Sequence, residues 1–128
     1  MKLDIQQTDH YAVITPGTPK LDSTVSPDFK SNLIVLGNAL ETGGLIINLE
    51  HVEFTDSSGL SSLLMAHRLY RDTDRILVLC ELNPKVSKLL EISKLTSSFI
   101  IVDKLEDAIE YLNDIDEEFD EEDDDDEI

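Results

Sequence analysis

Cysteine occurs once in the 128 residues, at Cys80, so no internal disulfide can staple the chain. No apolar run approaches the roughly 20 residues a membrane-spanning helix needs. The opening MKLDIQQTDH carries neither the basic patch nor the apolar stretch of a secretion signal. These absences predict a cytoplasmic protein with no membrane insertion. Basic residues are also scarce, 10 against 28 acidic ones, for a net charge of −18. Gripping a phosphate backbone takes clustered Lys and Arg, so direct nucleic-acid binding is not expected. Signatures of catalysis are missing too. There is no G-x-G-x-x-G and no Walker lysine. A nucleophile elbow would need G-x-S-x-G, and Thr55 stands where its first glycine would be. His10, His51 and His67 show no metal-ligand spacing among themselves or with Cys80. No metal, cofactor or catalytic residue is assigned.

What is present begins with an uneven charge. Residues 114–128, DIDEEFDEEDDDDEI, hold twelve acidic residues and no basic one, leaving 16 acidic and 10 basic over 1–113. A block of that kind repels itself and has little apolar area to bury, which predicts a disordered acidic tail over 114–128. It could solubilise the chain or meet a basic protein. The length of the remainder, 1–113, suits one domain with a real core.

Apolar periodicity divides that domain into elements. LDIQQTD and YAVIT read as two short strands, the second closed by Pro16-Gly17. Ser26-Pro27-Asp28 reads as a helix start, with serine as cap and proline in the first turn. Phe29, Leu33, Leu36 and Leu40 follow at helical spacing, and Gly43-Gly44 ends the run. LIINLE (45–50), RILVLCE (75–81) and FIIVD (99–103) are nearly unbroken apolar segments, as expected of strands covered on both faces. Helical patterns lie between and after them at 57–71, 84–94 and 105–113. Asn83-Pro84 supplies a cap and first turn for the second of these. Strands alternating with helices predict right-handed crossovers and an α/β fold with a mainly parallel sheet. His67 reads as a satisfied half-buried residue, His51 as a loop residue and Cys80 as a small core residue.

The stretch that invites a functional reading is TDSSGL, 55–60. It leaves a central strand and opens a helix, where sites form in such folds. Taken alone, Asp56-Ser57-Ser58-Gly59 can be a helix cap, since Asp and Ser are preferred at that position. Such a string is more often just a cap, and the other reading is a switch. A phosphate on Ser57 would add about −1.5 to −2 charges at a helix N-terminus, close to first-turn amides and opposed by Asp56. An aspartyl phosphotransferase would want a second carboxylate beside Asp56, and serines follow instead.

The blocks LIINLEHVEFTDSSGLSSLLMAHRLYR, RILVLCELNPKVSKLLEISKL and FIIVDKLEDAIEYL together resemble the STAS domain, the family of bacterial anti-sigma-factor antagonists. The upstream KLDSTVSPDF is similar to that family's G-x-L-D loop, and the likeness spans about 3–112. The resemblance implies a single STAS-like domain: a small mixed sheet with about four helices mostly on one face. It implies a non-enzymatic partner-switching regulator of transcription. When unphosphorylated, such a protein binds an anti-sigma factor that is itself a serine kinase. It is released once that kinase phosphorylates the first serine of the motif, here Ser57, with Ser58 as second choice. A PP2C-type phosphatase would reverse the step. Asp22, Asp56, Ser57, Ser58 and Gly59 would form the partner surface of a monomer. The same family implies an alternative, an unphosphorylated accessory subunit of a membrane lipid or anion transport complex. Lys20 and Lys94 stand where the family has glycine, and the acidic tail is not a family feature.

Overall fold

A computed structural model describes residues 2–39 and 42–126, with side chains described as far as Ile115 except that of Ala39. Strands β1 (Leu3–Gln7) and β2 (Tyr11–Pro16) form a hairpin, and β3 (Lys20–Leu21) leads to helix α1 (Ser26–Ala39). Next come β4 (Gly44–Asn48), β5 (Phe54–Thr55), α2 (Ser57–Asp72), β6 (Ile76–Cys80) and α3 (Pro84–Ile92). A 3₁₀ turn at Thr96–Ser98, β7 (Ile100–Ile101) and α4 (Leu105–Asp126) complete the order. The main sheet runs β1-β2-β4-β6-β7. Only its first pair is antiparallel; β2, β4, β6 and β7 are parallel neighbours.

Alternation along the strands assigns the two faces. Ala12, Ile14, Leu45, Ile47, Leu77 and Leu79 point into the larger core, which Phe29 and Leu33 of α1, Leu63 and Tyr70 of α2, and Val86 and Leu90 of α3 close. The intervening residues Val13, Ile46, Val78 and Cys80 point the other way, onto Ala108 and Leu112 of α4. Three helices therefore cover one face and one covers the other. Every residue of β4 is buried, as its unbroken apolar run demands.

Four features differ from the sequence pattern or extend it. The short strands β3 and β5 carry no periodicity of their own and exist because they pair in parallel, Lys20 with Phe54 and Leu21 with Thr55. Ser26 is already helical and is not a free cap; its hydroxyl lies 2.7 Å from the carbonyl of Asp22. Leu40 of the apolar stripe in the first helix lies outside the described residues. The backbone of α4 stays helical to Asp126, through a segment whose charge predicts disorder from Asp114. Helical hydrogen bonding is local and Glu is a good helix former, so a helix there requires no core. Among the residues whose side chains are described, its last buried one is Leu112, and no basic residue stands in its last turn to offset the dipole.

Candidate functional site

The site is assembled at the start of α2 by the pairing of β3 with β5. That pairing brings the loop after Leu21 against the loop after Thr55, more than thirty residues away along the chain. The backbone amide of Asp56 donates to the carbonyl of Leu21 at 3.3 Å, and Thr55 Oγ1 donates to the same carbonyl at 2.9 Å.

Asp56 is the N-cap of α2. Its Oδ1 accepts from the Ser58 amide at 2.9 Å, the Gly59 amide at 3.1 Å and the Ser58 hydroxyl at 2.6 Å. Its Oδ2 accepts from the Ser23 amide at 3.3 Å, across to the facing loop. These donors, the Ser58 hydroxyl first, hold the carboxyl below the usual aspartate value. A carboxylate so occupied is a weak base and a poor nucleophile. Asp22 is arranged alike: Oδ1 accepts from the amide and hydroxyl of Thr24, and these bonds, the hydroxyl's first, lower its pKa. The two carboxylates are near enough that Asp56 opposes the ionisation of Asp22.

The two serines of the motif differ in kind. Ser58 is half-buried, and its hydroxyl also lies 3.1 Å from the hydroxyl of buried Ser26. Each hydroxyl has one hydrogen. If Ser58 gives its own to Asp56 and Ser26 gives its own to the Asp22 carbonyl, the contact between them has none left, so these three interactions share two protons. Ser58 is thus committed to the internal network. Ser57 is exposed, and its hydroxyl has no hydrogen bond among the described residues. Beside it lies a shallow cavity of about 290 Å³ lined by Leu60, Ser61, Leu64, Ser93 and Leu95 as well as Ser57. The first-turn amides that a phosphate on Ser57 would seek, those of Ser58 and Gly59, are already taken by Asp56. A phosphoryl group there meets a carboxylate where an open anion site would offer N–H donors.

Gly59 is buried and presents no side chain. A Cβ at that position would lie 2.0 Å from Thr55 Oγ1 and 2.2 Å from the Leu21 carbonyl oxygen, so the glycine is what lets α2 start this close to β3. Of the five residues expected to form a surface, Ser57 is exposed, Asp22, Asp56 and Ser58 are half-buried, and Gly59 lies beneath them. Ser23, in the Lys20–Ser23 loop that the resemblance places near the site, joins the network; Ser26 and Thr55 complete it and were not legible in advance. Their partners are distant in sequence, and only the capping pattern hinted that Asp56 would have any.

Elsewhere, Cys80 is fully buried, and burial first, then nearby acidic groups, pushes its thiol up to about 12. His51 lies exposed in a turn, 3.6 Å from Glu50. His67 is not the satisfied residue its position suggested. Its Nδ1 is buried with no partner among the described residues. Its ring packs edge-on against Phe99 at 5.6 Å between centroids. Desolvation, with smaller contributions from Arg71 and Arg68, lowers its pKa from 6.5. Among the described residues no group of three or more His, Cys, Asp or Glu could hold a metal ion, and no helix is long and apolar enough to cross a membrane.

This fold and the serine-bearing helix start define the class. The STAS domain family matches residues 2–108, and the chain belongs to that family. Several of the proteins it is similar to are named anti-sigma-factor antagonists. The anti-sigma F factor antagonist of Paenibacillus polymyxa is 26% identical over 113 residues, 88% of this chain and 97% of that protein. The structure of an anti-sigma-factor antagonist (STAS) domain protein from Planctomyces limnophilus superposes with a TM-score of 0.79 at 18% identity, over 87% of this chain and 97% of that one. The Bacillus cell-fate determinant SpoIIAA in its phosphorylated form gives a TM-score of 0.68 at 21% identity, over 87% and 99% of the two chains.

Proposed function

We propose that the chain is an anti-sigma-factor antagonist switched at Ser57. Unmodified, it binds an anti-sigma factor that is a serine kinase; phosphorylation of Ser57 by that kinase releases it, and a PP2C-type phosphatase restores it. The chain itself performs no catalysis. The observation that carries this reading is the contrast between the serines. Ser57 offers a free, exposed hydroxyl at the head of α2, while Ser58 beside it is held by Asp56 and Ser26. A kinase can reach the first without dismantling the cap; reaching the second would break it. Family membership and the antagonist named among the relatives support the same reading.

The release step follows from charge. A phosphoserine at 57 would face Asp56 and Asp22 with the nearest amides already engaged, so burying it in an interface adds repulsion to desolvation. At about 1.4 kcal/mol per decade, a cost of ~4 kcal/mol weakens binding nearly a thousandfold.

Peptide mass spectrometry of the protein from its own cells, with and without stress, tests the reading. An increment of about 80 Da on the peptide holding residues 56–59, varying with conditions, is expected. Ser57→Asp should sharply weaken binding to the kinase by calorimetry, and Ser57→Ala should bind yet resist phosphorylation. Phosphate on the Ser57→Ala protein would move the site to Ser58. Absence of phosphate under every condition would favour a constitutive binding subunit, as in a transport complex.

A further inference from the structure

Exposed apolar side chains that stand together, unlike scattered ones, mark interaction surfaces, and two large ones adjoin next to the site. Phe54 of β5 is 47% exposed and Ile92 of α3 is 67% exposed. With Leu89 they line a slot of about 300 Å³ whose remaining walls include Lys85 and Lys88. Lys85, Leu89 and Ile92 follow at four- and three-residue intervals, so they lie along one face of α3, with Lys88 beside them. Lys20 is the register partner of Phe54 on the neighbouring strand, and both side chains are exposed. Two lysines therefore line the slot and a third, Lys20, stands beside Phe54 on the next strand, in a chain of net charge −18. Glu91 lines the adjoining cleft, together with Pro84, Ser87, Lys88 and Ile92, and is the acidic residue nearest the slot on α3.

We infer that this slot is a docking site for an acidic segment of a partner protein, a short amphipathic helix that seats an apolar side chain against Phe54, Leu89 and Ile92 and its carboxylates on Lys20, Lys85 and Lys88. Charge complementarity selects the occupant. A basic helix would set like charges against the lysines and a neutral one would gain nothing from them, whereas an acidic one is attracted. The nine residues of α3 span about 13 Å, enough to cradle two to three turns of such a helix. Phe54 adjoins Thr55 and Asp56, so the slot continues the surface around Ser57. Assigning the segment to the partner that reads Ser57 rests on the function proposed above; the chemistry of the slot does not.

The test uses the full chain, isotope-labelled, and a synthetic helical peptide with leucine at helical spacing in a glutamate background. A matched peptide carries lysine in place of glutamate. The glutamate peptide should shift the amide resonances of Phe54, Lys85, Lys88, Leu89 and Ile92, saturably and more weakly as salt rises. The triple variant Lys20→Glu, Lys85→Glu, Lys88→Glu should bind it about tenfold less tightly or not at all. Phe54→Ala should weaken it as well, which charge attraction alone would not produce. No shifts, shifts elsewhere, equal binding of the lysine peptide, or indifference to Phe54→Ala would overturn the inference. So would slot resonances that already move on deleting 114–128, which would make the chain's own acidic segment the occupant. None of these outcomes depends on phosphate at Ser57, so the failure of one reading is distinguishable from that of the other.

Discussion

Replacing Gly59 with alanine sets two opposed effects against each other at a position in the first turn of α2. Within a helix, alanine is favoured over glycine by about 1 kcal/mol. This glycine does not have a positive φ, so alanine meets no backbone strain. Sterics run the other way. The new methyl would fall 2.0 Å from Thr55 Oγ1 and 2.2 Å from the Leu21 oxygen, where ordinary contact begins near 3.4 Å. One of these atoms is backbone, and it is held twice: by the Thr55 hydroxyl at 2.9 Å and by the Asp56 amide at 3.3 Å. Helix and strand must separate by more than about 1 Å, at the upper end of the 1–3 kcal/mol range for overpacking. The buried Thr55 bond is lost with it, about 1 kcal/mol more. A net loss of ~3 kcal/mol remains, read as a fall in melting temperature of about 10–20 °C and a lower urea midpoint at unchanged slope. Adding Thr55→Ala should restore part of the loss and no more, since the Leu21 oxygen stays in place. An alanine variant as stable as the parent, or more so, would show that helix propensity decides this position and that the close approach is not real.

Three further outcomes are expected. Lys94 has φ 58° at the end of α3, where Lys94 and Leu95 donate back to Glu91 and Leu90 in the pattern that favours glycine; Lys94→Gly should raise the unfolding free energy by about 1 kcal/mol in urea titration, and a loss would contradict that geometry. His67 is depressed below 6.5 in the fold, so its stabilising contribution is complete above that pH and declines as pH falls through it and on through the lower folded value. Stability measured from about pH 7 to about pH 5 should therefore drop, and His67→Phe should flatten that limb; parallel curves for the two proteins would refute the assignment. Deleting residues 114–128 should leave the melting temperature nearly unchanged, because a segment with twelve acidic and no basic residues has little apolar area to bury; a large fall would show that the acidic segment docks.

Much of the fold could be read directly. The strands at 45–50 and 75–81 announce themselves because burial on both faces leaves no polar position to interrupt them. Asp56 and Asn83 mark the starts of α2 and α3 because a cap acts on amides two or three residues away. The site was legible only as a string. That Ser57 faces water and Ser58 faces Ser26 depends on Ser26 at the start of α1, which lies 32 residues from Ser58 in the chain.

The sequence by itself determined the strands of the main sheet, the helices and the caps Asp56 and Asn83, and it placed a serine pair at a helix start after a buried strand. These follow from forces that act within one or two turns of chain. Tertiary structure alone decided which serine is free, why residue 59 must be glycine, and that Lys20, Lys85 and Lys88 come together near Phe54. Each of those depends on β3 closing against β5, a two-residue pairing too short to leave a pattern of its own. Its position is set by the sheet and helices around it, and no local propensity encodes a contact of that kind.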